Sequence, residues 1–150
     1  MRAIIQRTLE ASVTVDNKII AAIPHGLLVL LGVEDGDTSE DAAWLAAKLA
    51  RLRIFSDDDG KMNRSIIDSG GGIIVVSQFT LHASTRKGNR PSFLRSAPPA
   101  VSEPLYLQFC GAVEQDTQMN VQTGHFGADM KVALINDGPV TIFIDSRNKE

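Results

Sequence analysis

One cysteine, one tryptophan and one tyrosine occur in the 150 residues, and aromatics amount to only 5%. A lone Cys110 excludes an intramolecular disulfide and a zinc site built on thiolates. Set beside Phe109 and Val113, it reads as a buried structural thiol. So few aromatics exclude a wide base-stacking platform. His25, His82 and His125 lie far apart, make no metal-ligand spacing, and read as surface or capping residues. No apolar run approaches ~18 residues, so no membrane span is expected. Arg2 and Arg7 interrupt the region where a secretory leader needs an unbroken apolar core, which predicts a cytoplasmic protein. Net charge is −3, from 15 Lys+Arg against 18 Asp+Glu, so any polyanion partner must be held by a local patch.

What is present is an ordinary globular composition, 43% hydrophobic and 22% charged. A chain of this length can bury ~68–70% of its unfolded surface, enough for one domain over residues 1–150 without staples. Ala11 to Val15 alternates as a half-buried strand, and Ile19 to Ile23 reads as its hairpin partner, stopped at Pro24-His25-Gly26. Leu27 to Val33 is nearly all apolar, as for a strand covered on both faces. Thr38 with Asp41 forms an Asp variant of the capping box, and Ala42, Leu45, Leu49 and Leu52 follow at helical spacing. Arg53-Ile54-Phe55 enters the turn Asp57-Asp58-Asp59-Gly60, which lacks the alternating ligands and closing Glu of a calcium loop. After Gly70-Gly71-Gly72 comes a buried strand, Ile73 to Val76. Ser102 reads as the N-cap of a second helix, with Pro104 in its first turn. Met130 to Ile135, a turn at Asn136-Asp137-Gly138-Pro139, and Val140 to Ile144 complete the pattern. Strands dominate and two helices cover them, which predicts an α+β fold.

Two polar segments interrupt apolar strands. Ser77-Gln78-Phe79-Thr80 ends a buried strand, where hydroxyls and an amide either cap backbone groups or face a pocket. Asn136-Asp137-Gly138-Pro139-Val140-Thr141 is either a plain β-turn or a functional loop. Between His82 and Ala97 a long aperiodic stretch carries Arg86, Lys87, Arg90 and Arg95, and loops of that length tend to be functional.

With these segments in order, the chain resembles the D-aminoacyl-tRNA deacylases, enzymes that hydrolyse D-amino acids from tRNA. The resemblance runs through Gln6-Arg7, Ala11 to Val15, Gly26 to Val33, Arg53-Ile54-Phe55 and Gly60-Lys61-Met62-Asn63. It continues through Ser77 to Leu81, Arg90-Pro91-Ser92-Phe93, Gln122-Thr123-Gly124 with Phe126, and Asn136 to Thr141. Ser-Gln-x-Thr and Asn-x-Gly-Pro-Val-Thr are the family's signature segments, and only the tail from Asp145 to Glu150 looks variable.

The resemblance implies a homodimer with a barrel-like, mainly antiparallel sheet, acting in the cytoplasm on tRNA and using no metal and no organic cofactor. It implies a cis Gly138-Pro139 peptide on a loop that enters the partner's site. Ser77, Gln78, Phe79 and Thr80 would form the catalytic segment, with Gly138 and Pro139 of the partner as the chiral gate. Backbone N–H groups near Phe79 and Thr80 would supply donors to an oxyanion. Thr80 as nucleophile is the alternative, although no base lies near it in sequence. Arg7, Arg86, Lys87, Arg90 and Arg95 are the candidates for phosphate contacts. A non-catalytic RNA-binding module and a Thr-dependent amidohydrolase are the competing readings.

Overall fold

The computed structural model describes residues 1–149 and is organised around one long strand, β1 (Arg2–Val15). Its second half turns through Asp16-Asn17, both at positive φ, into the antiparallel β2 (Lys18–Ile23). Asn and Asp tolerate that left-handed conformation, which matches the twist of a two-residue hairpin. The first half of β1 pairs antiparallel with β3 (Gly26–Gly32). On the far side of β3 the sheet changes sense: β6 (Gly72–Ser77) and β7 (Val121–Thr123) are added in parallel. Parallel neighbours need crossovers. Here α1 (Ser39–Ala50) lies between β3 and β6, and α3 (Pro99–Thr117) between β6 and β7. A small hairpin of β4 (Phe55–Ser56) and β5 (Met62–Arg64) and a one-turn α2 (Ile66–Ser69) fill the first crossover.

Period-two alternation divides the apolar strands between two cores. Leu27, Val29, Leu31, Ile73 and Val75 point to the helices, where Leu45, Leu49, Phe109 and Val113 meet them. Leu28, Ile74 and Val76 point the other way, into a second core closed by Val13, Ala21 and Ile23. That is the physical content of a strand that reads apolar throughout. The α+β, barrel-like expectation is therefore met, with four of the six strand pairings antiparallel. The predicted Thr38/Asp41 capping box is present at the start of α1.

Two expectations are corrected. The second long helix starts at Pro99, not after Ser102; the Ser102 hydroxyl donates back to the Pro98 carbonyl, and Pro104 falls beyond the first turn. The turn predicted at Asn136-Asp137-Gly138-Pro139 does not fold the last third back on itself. Residues 131–145 form one strand, β8 (Lys131–Asp145), both halves of which pair with β1. Pairing runs Gln6 with Thr141 and then Thr8 with Asn136, so residues 137–140 are extruded opposite Arg7. Each half of β8 contributes one face to a core that β1 already spans, and a hairpin would forfeit that burial.

The segment from Asp145 onward is also tied down. The Ser146 hydroxyl donates to Asp41 and accepts from the Met1 ammonium, and Arg147 reaches Asp37 at 2.9 Å and the Asp35 carbonyl at 2.7 Å. Glu150, the end of that tail, lies outside the described residues.

Candidate active site

Where β6 ends at Ser77, the chain enters a 3₁₀ turn over residues 79–82. The Gln78 amide still donates to the Leu31 carbonyl at 2.7 Å, the last ladder bond before the strand departs. Inside the turn, Leu81 N–H donates to the Gln78 carbonyl and Ala83 N–H to the Thr80 carbonyl. Among the described residues no acceptor is found for the Phe79 and Thr80 amides, the orphan donors of a helix start. Phe79 and Thr80 are exposed, so these amides sit at the surface and not in a dry core. The Gln78 side-chain amide donates to the Thr80 hydroxyl, and among the described residues no carboxylate or imidazole is bonded to that hydroxyl.

Ser77, Gln78 and Phe79 form one wall of a cavity of about 500 Å³. Its deeper wall is apolar, built from Leu31, Val76, Tyr106, Phe126, Met130 and Val132. The Tyr106 hydroxyl donates to the Val75 carbonyl at 2.8 Å, and burial pushes the phenol well above its ordinary range. Cys110 is buried behind Tyr106, as the sequence predicted, and burial pushes its thiol up to about 12. A thiol in that state is no nucleophile near neutrality.

Gly138 and Pro139, joined by a cis peptide bond, stand exposed at the tip of the β8 excursion. Its base is laced by side chains. Asn136 Oδ1 accepts from the Val140 amide at 2.8 Å, and Asn136 Nδ2 donates to the Thr141 hydroxyl at 2.9 Å. From beneath, Arg7 Nε lies 2.9 Å from Asp137 Oδ2 while its Nη1 donates to the Ile54 carbonyl at 2.5 Å. Gly138 sits at φ +121°, a backbone that L side chains rarely adopt. Among the described residues lining the cavity, neither Gly138 nor Pro139 occurs. Within one chain, the two signature segments are thus separate structures.

The basic candidates divide in the same way. Ser84 and Ser92 exchange backbone hydrogen bonds of 2.8 and 2.9 Å, turning the long loop into a small hairpin that displays exposed Arg86, Lys87 and Arg90. Arg7, by contrast, is only 9% exposed and committed to Asp137, so it is not placed to touch phosphate. Arg95 is also occupied: its Nε donates to Glu34 Oε1 at 2.7 Å, with an Nη2 of the same fork 2.5 Å away. Burial pushes the Glu34 carboxyl up, but the Arg95 hydrogen bond and the charges of Arg95, His82 and Arg147 outweigh it and hold it below the usual range.

Sequence reasoning missed Glu34, Ser96 and the burial of His82. Far from being a surface residue, His82 is fully buried, and among the described residues neither ring nitrogen has a hydrogen-bond partner within bonding distance. Burial lowers its basicity, against the Gly32 carbonyl and the Glu34 charge. The available signal was its place directly after Leu81, five residues past the end of the buried strand at Ser77.

An unpaired amide at Phe79 on the wall of a largely apolar cavity, with that of Thr80 next along the chain, suits stabilisation of a developing oxyanion, the device of a hydrolase, and comparison with known proteins places the chain in that class. It belongs to the D-Tyr-tRNA(Tyr) deacylase family, whose model matches residues 4–145. A D-aminoacyl-tRNA deacylase of Parabacteroides distasonis is 59% identical over all 150 residues, covering the whole of both chains. Its counterpart from Flavobacterium psychrophilum is 57% identical over the same span. Among solved structures, a c-Myc DNA unwinding element binding protein superimposes with a TM-score of 0.91 at 39% identity, over 97% of this chain and 98% of its own. A probable eukaryotic D-amino acid tRNA deacylase shares the fold, at TM-score 0.80 and 18% identity over 95% of this chain and 97% of its own.

Proposed function

We propose that this protein hydrolyses the ester between a D-amino acid and the terminal ribose of tRNA, as a cytoplasmic homodimer with neither metal nor organic cofactor. The observation that carries the mechanism is the pair of unpartnered amides of Phe79, which lines the cavity, and of Thr80, the next residue along the chain, which does not line it. Attack of water on the ester carbonyl places negative charge on its oxygen, and fixed N–H donors stabilise that charge without reorganising. Ser77 and Gln78 position the substrate, and Gln78 holds the Thr80 hydroxyl. With Gln78 as its partner instead of a base, Thr80 acts by positioning and not as a nucleophile.

Chiral choice is assigned to Gly138 and Pro139 of the second copy. Their carbonyls take the α-ammonium group, and their closeness leaves no space for an L side chain. Glycine carries no side chain to clash, so glycyl-tRNA is a second substrate. Two features support a shared site: the Gly138-Pro139 tip lies apart from the cavity of its own chain, and β8 pairs on one edge only among the described residues. Exposed apolar side chains on β8, Ile135 and Phe143, offer a face for the second copy. Arg86, Lys87 and Arg90 are the phosphate contacts.

Time courses of D-Tyr-tRNA, L-Tyr-tRNA and D-Tyr amide with purified, chelator-treated protein test this reading. Cleavage of the D-Tyr-tRNA alone supports it; tRNA affinity without turnover marks a binding module, and cleavage of the amide marks an amidohydrolase. Mixing a cavity-dead with a Gly138 variant should restore about one working site per heterodimer, and no recovery would sink the shared site.

A further inference from the structure

We propose that Arg95, Ser96 and Glu34 are positioning residues that aim the Phe79 and Thr80 amides at the cavity, a reading that rests on the proposed deacylase activity. The strap 95–97 lies antiparallel on the extension of β3: Asp35 N–H donates to the Arg95 carbonyl at 2.9 Å and Ala97 N–H to the Val33 carbonyl at 3.0 Å. From this strap the Ser96 hydroxyl donates to the Phe79 carbonyl at 2.8 Å. That carbonyl belongs to the peptide whose N–H is Thr80's, so the bond fixes the plane in which the Thr80 amide points. Ser96, Phe79, Gln78, Ala97 and Val33 all line the cavity, which places the clamp at the working surface.

The strap is locked in turn by the Arg95–Glu34 fork, with the carboxylate almost buried and the guanidinium half exposed. Behind the 3₁₀ turn, Arg2 Nη1 donates to the Leu81 carbonyl at 3.0 Å, and the His82 ring fills the space beside Gly32. A Cβ on Gly32 would stand 2.9 Å from the Gln78 carbonyl oxygen and 3.1 Å from the His82 ring, so the turn packs this close to β3 only because residue 32 has no side chain. The turn is thus held in front by Ser96 and behind by Arg2 and His82. Oriented donors matter because a misplacement of about 1 Å can cost ~10²-fold in rate. Arg95 therefore serves the chemistry through Glu34 and Ser96, not the RNA.

The test is a steady-state and single-turnover comparison of wild type, Ser96→Ala, Arg95→Ala, Arg95→Lys and Arg86→Ala on D-Tyr-tRNA over a range of salt. Ser96→Ala, which removes one oxygen, should lower kcat by about ten- to a hundredfold with little change in KM. Arg95→Ala should do the same without changing the salt dependence of KM, and Arg95→Lys should recover part of the loss. Arg86→Ala should instead raise KM and flatten its salt dependence. A rise in KM with a weaker salt slope in Arg95→Ala would make Arg95 a phosphate contact and overturn the proposal. So would an unchanged kcat in Ser96→Ala, whatever the folding of the Arg95 variants. A wild type that leaves D-Tyr-tRNA intact would overturn the deacylase reading itself.

Discussion

Arg7 and Asp137 sit 2.9 Å apart across the gap in the β1–β8 ladder, and this pair joins the β8 excursion to the β3–β6 crossover through the Ile54 carbonyl. Arg7 is thereby the post under the Gly138-Pro139 tip. Arg7→Lys keeps the charge but loses the fork that spans two partners. It should reduce the D/L ratio of kcat/KM while leaving the salt dependence of KM unchanged. A weakened salt slope with an intact ratio would return Arg7 to the phosphate contacts.

Gly138→Ala should damage the same tip without unfolding the protein. An added Cβ would lie 2.7 Å from Val140 Cγ2 and 3.2 Å from an Arg7 Nη2, on a backbone at φ +121°. Strain of this kind costs about 1–3 kcal/mol and here falls on an exposed loop. Activity on D-Tyr-tRNA should drop at least tenfold while the melting temperature falls by no more than about 10 °C, leaving the protein folded under assay; equal activity would remove the tip from the site.

Thr80→Ser should be nearly silent and Thr80→Ala should slow the reaction modestly, because the Thr80 hydroxyl only meets Gln78 while the backbone amide remains in every variant. Loss of a whole oxyanion donor typically costs ~10²–10³ in kcat, and loss of an essential nucleophile abolishes the reaction. Trapping an aminoacyl ester on Thr80 would reverse this assignment.

The hairpin tip gives a separate signature. Replacing exposed Arg86, Lys87 and Arg90 together by Ala should raise KM and reduce its salt slope, with kcat maintained. Filter binding of tRNA at two ionic strengths checks the same point without catalysis.

His82 carries a pH dependence of stability. Its basicity in the fold is lowered below the ordinary 6.5, so the unfolded chain takes up the proton more readily than the native one. Stability is therefore full above that value and lost as pH falls through it. His82→Leu should flatten the fall in melting temperature just below neutrality. The depressed carboxyls of Glu34, Asp41 and Asp145 act lower down, their contribution lost as pH falls through the acid range in both proteins. An identical profile in His82→Leu would refute this account.

Much of the architecture follows from local chemistry alone. The capping box at Thr38, the two-faced strand from Leu27, the buried Cys110 and the polar break at Ser77 are each dictated by neighbours in sequence. Periodicity shows which face of a segment is apolar and where that face ends. It does not show what lies opposite. That Lys131–Asp145 runs along β1 as a single strand, with residues 137–140 forced out against Arg7, depends on pairing between ends of the chain more than a hundred residues apart. The same long-range packing committed two arginines to carboxylates, Arg7 to Asp137 and the half-exposed Arg95 to Glu34, and drove His82 into the core. An arginine looks the same in a sequence whether water or a carboxylate faces it; only the tertiary structure supplies the carboxylate, and for Arg95 the cost of leaving the buried Glu34 charge unpaired decides where the arginine goes.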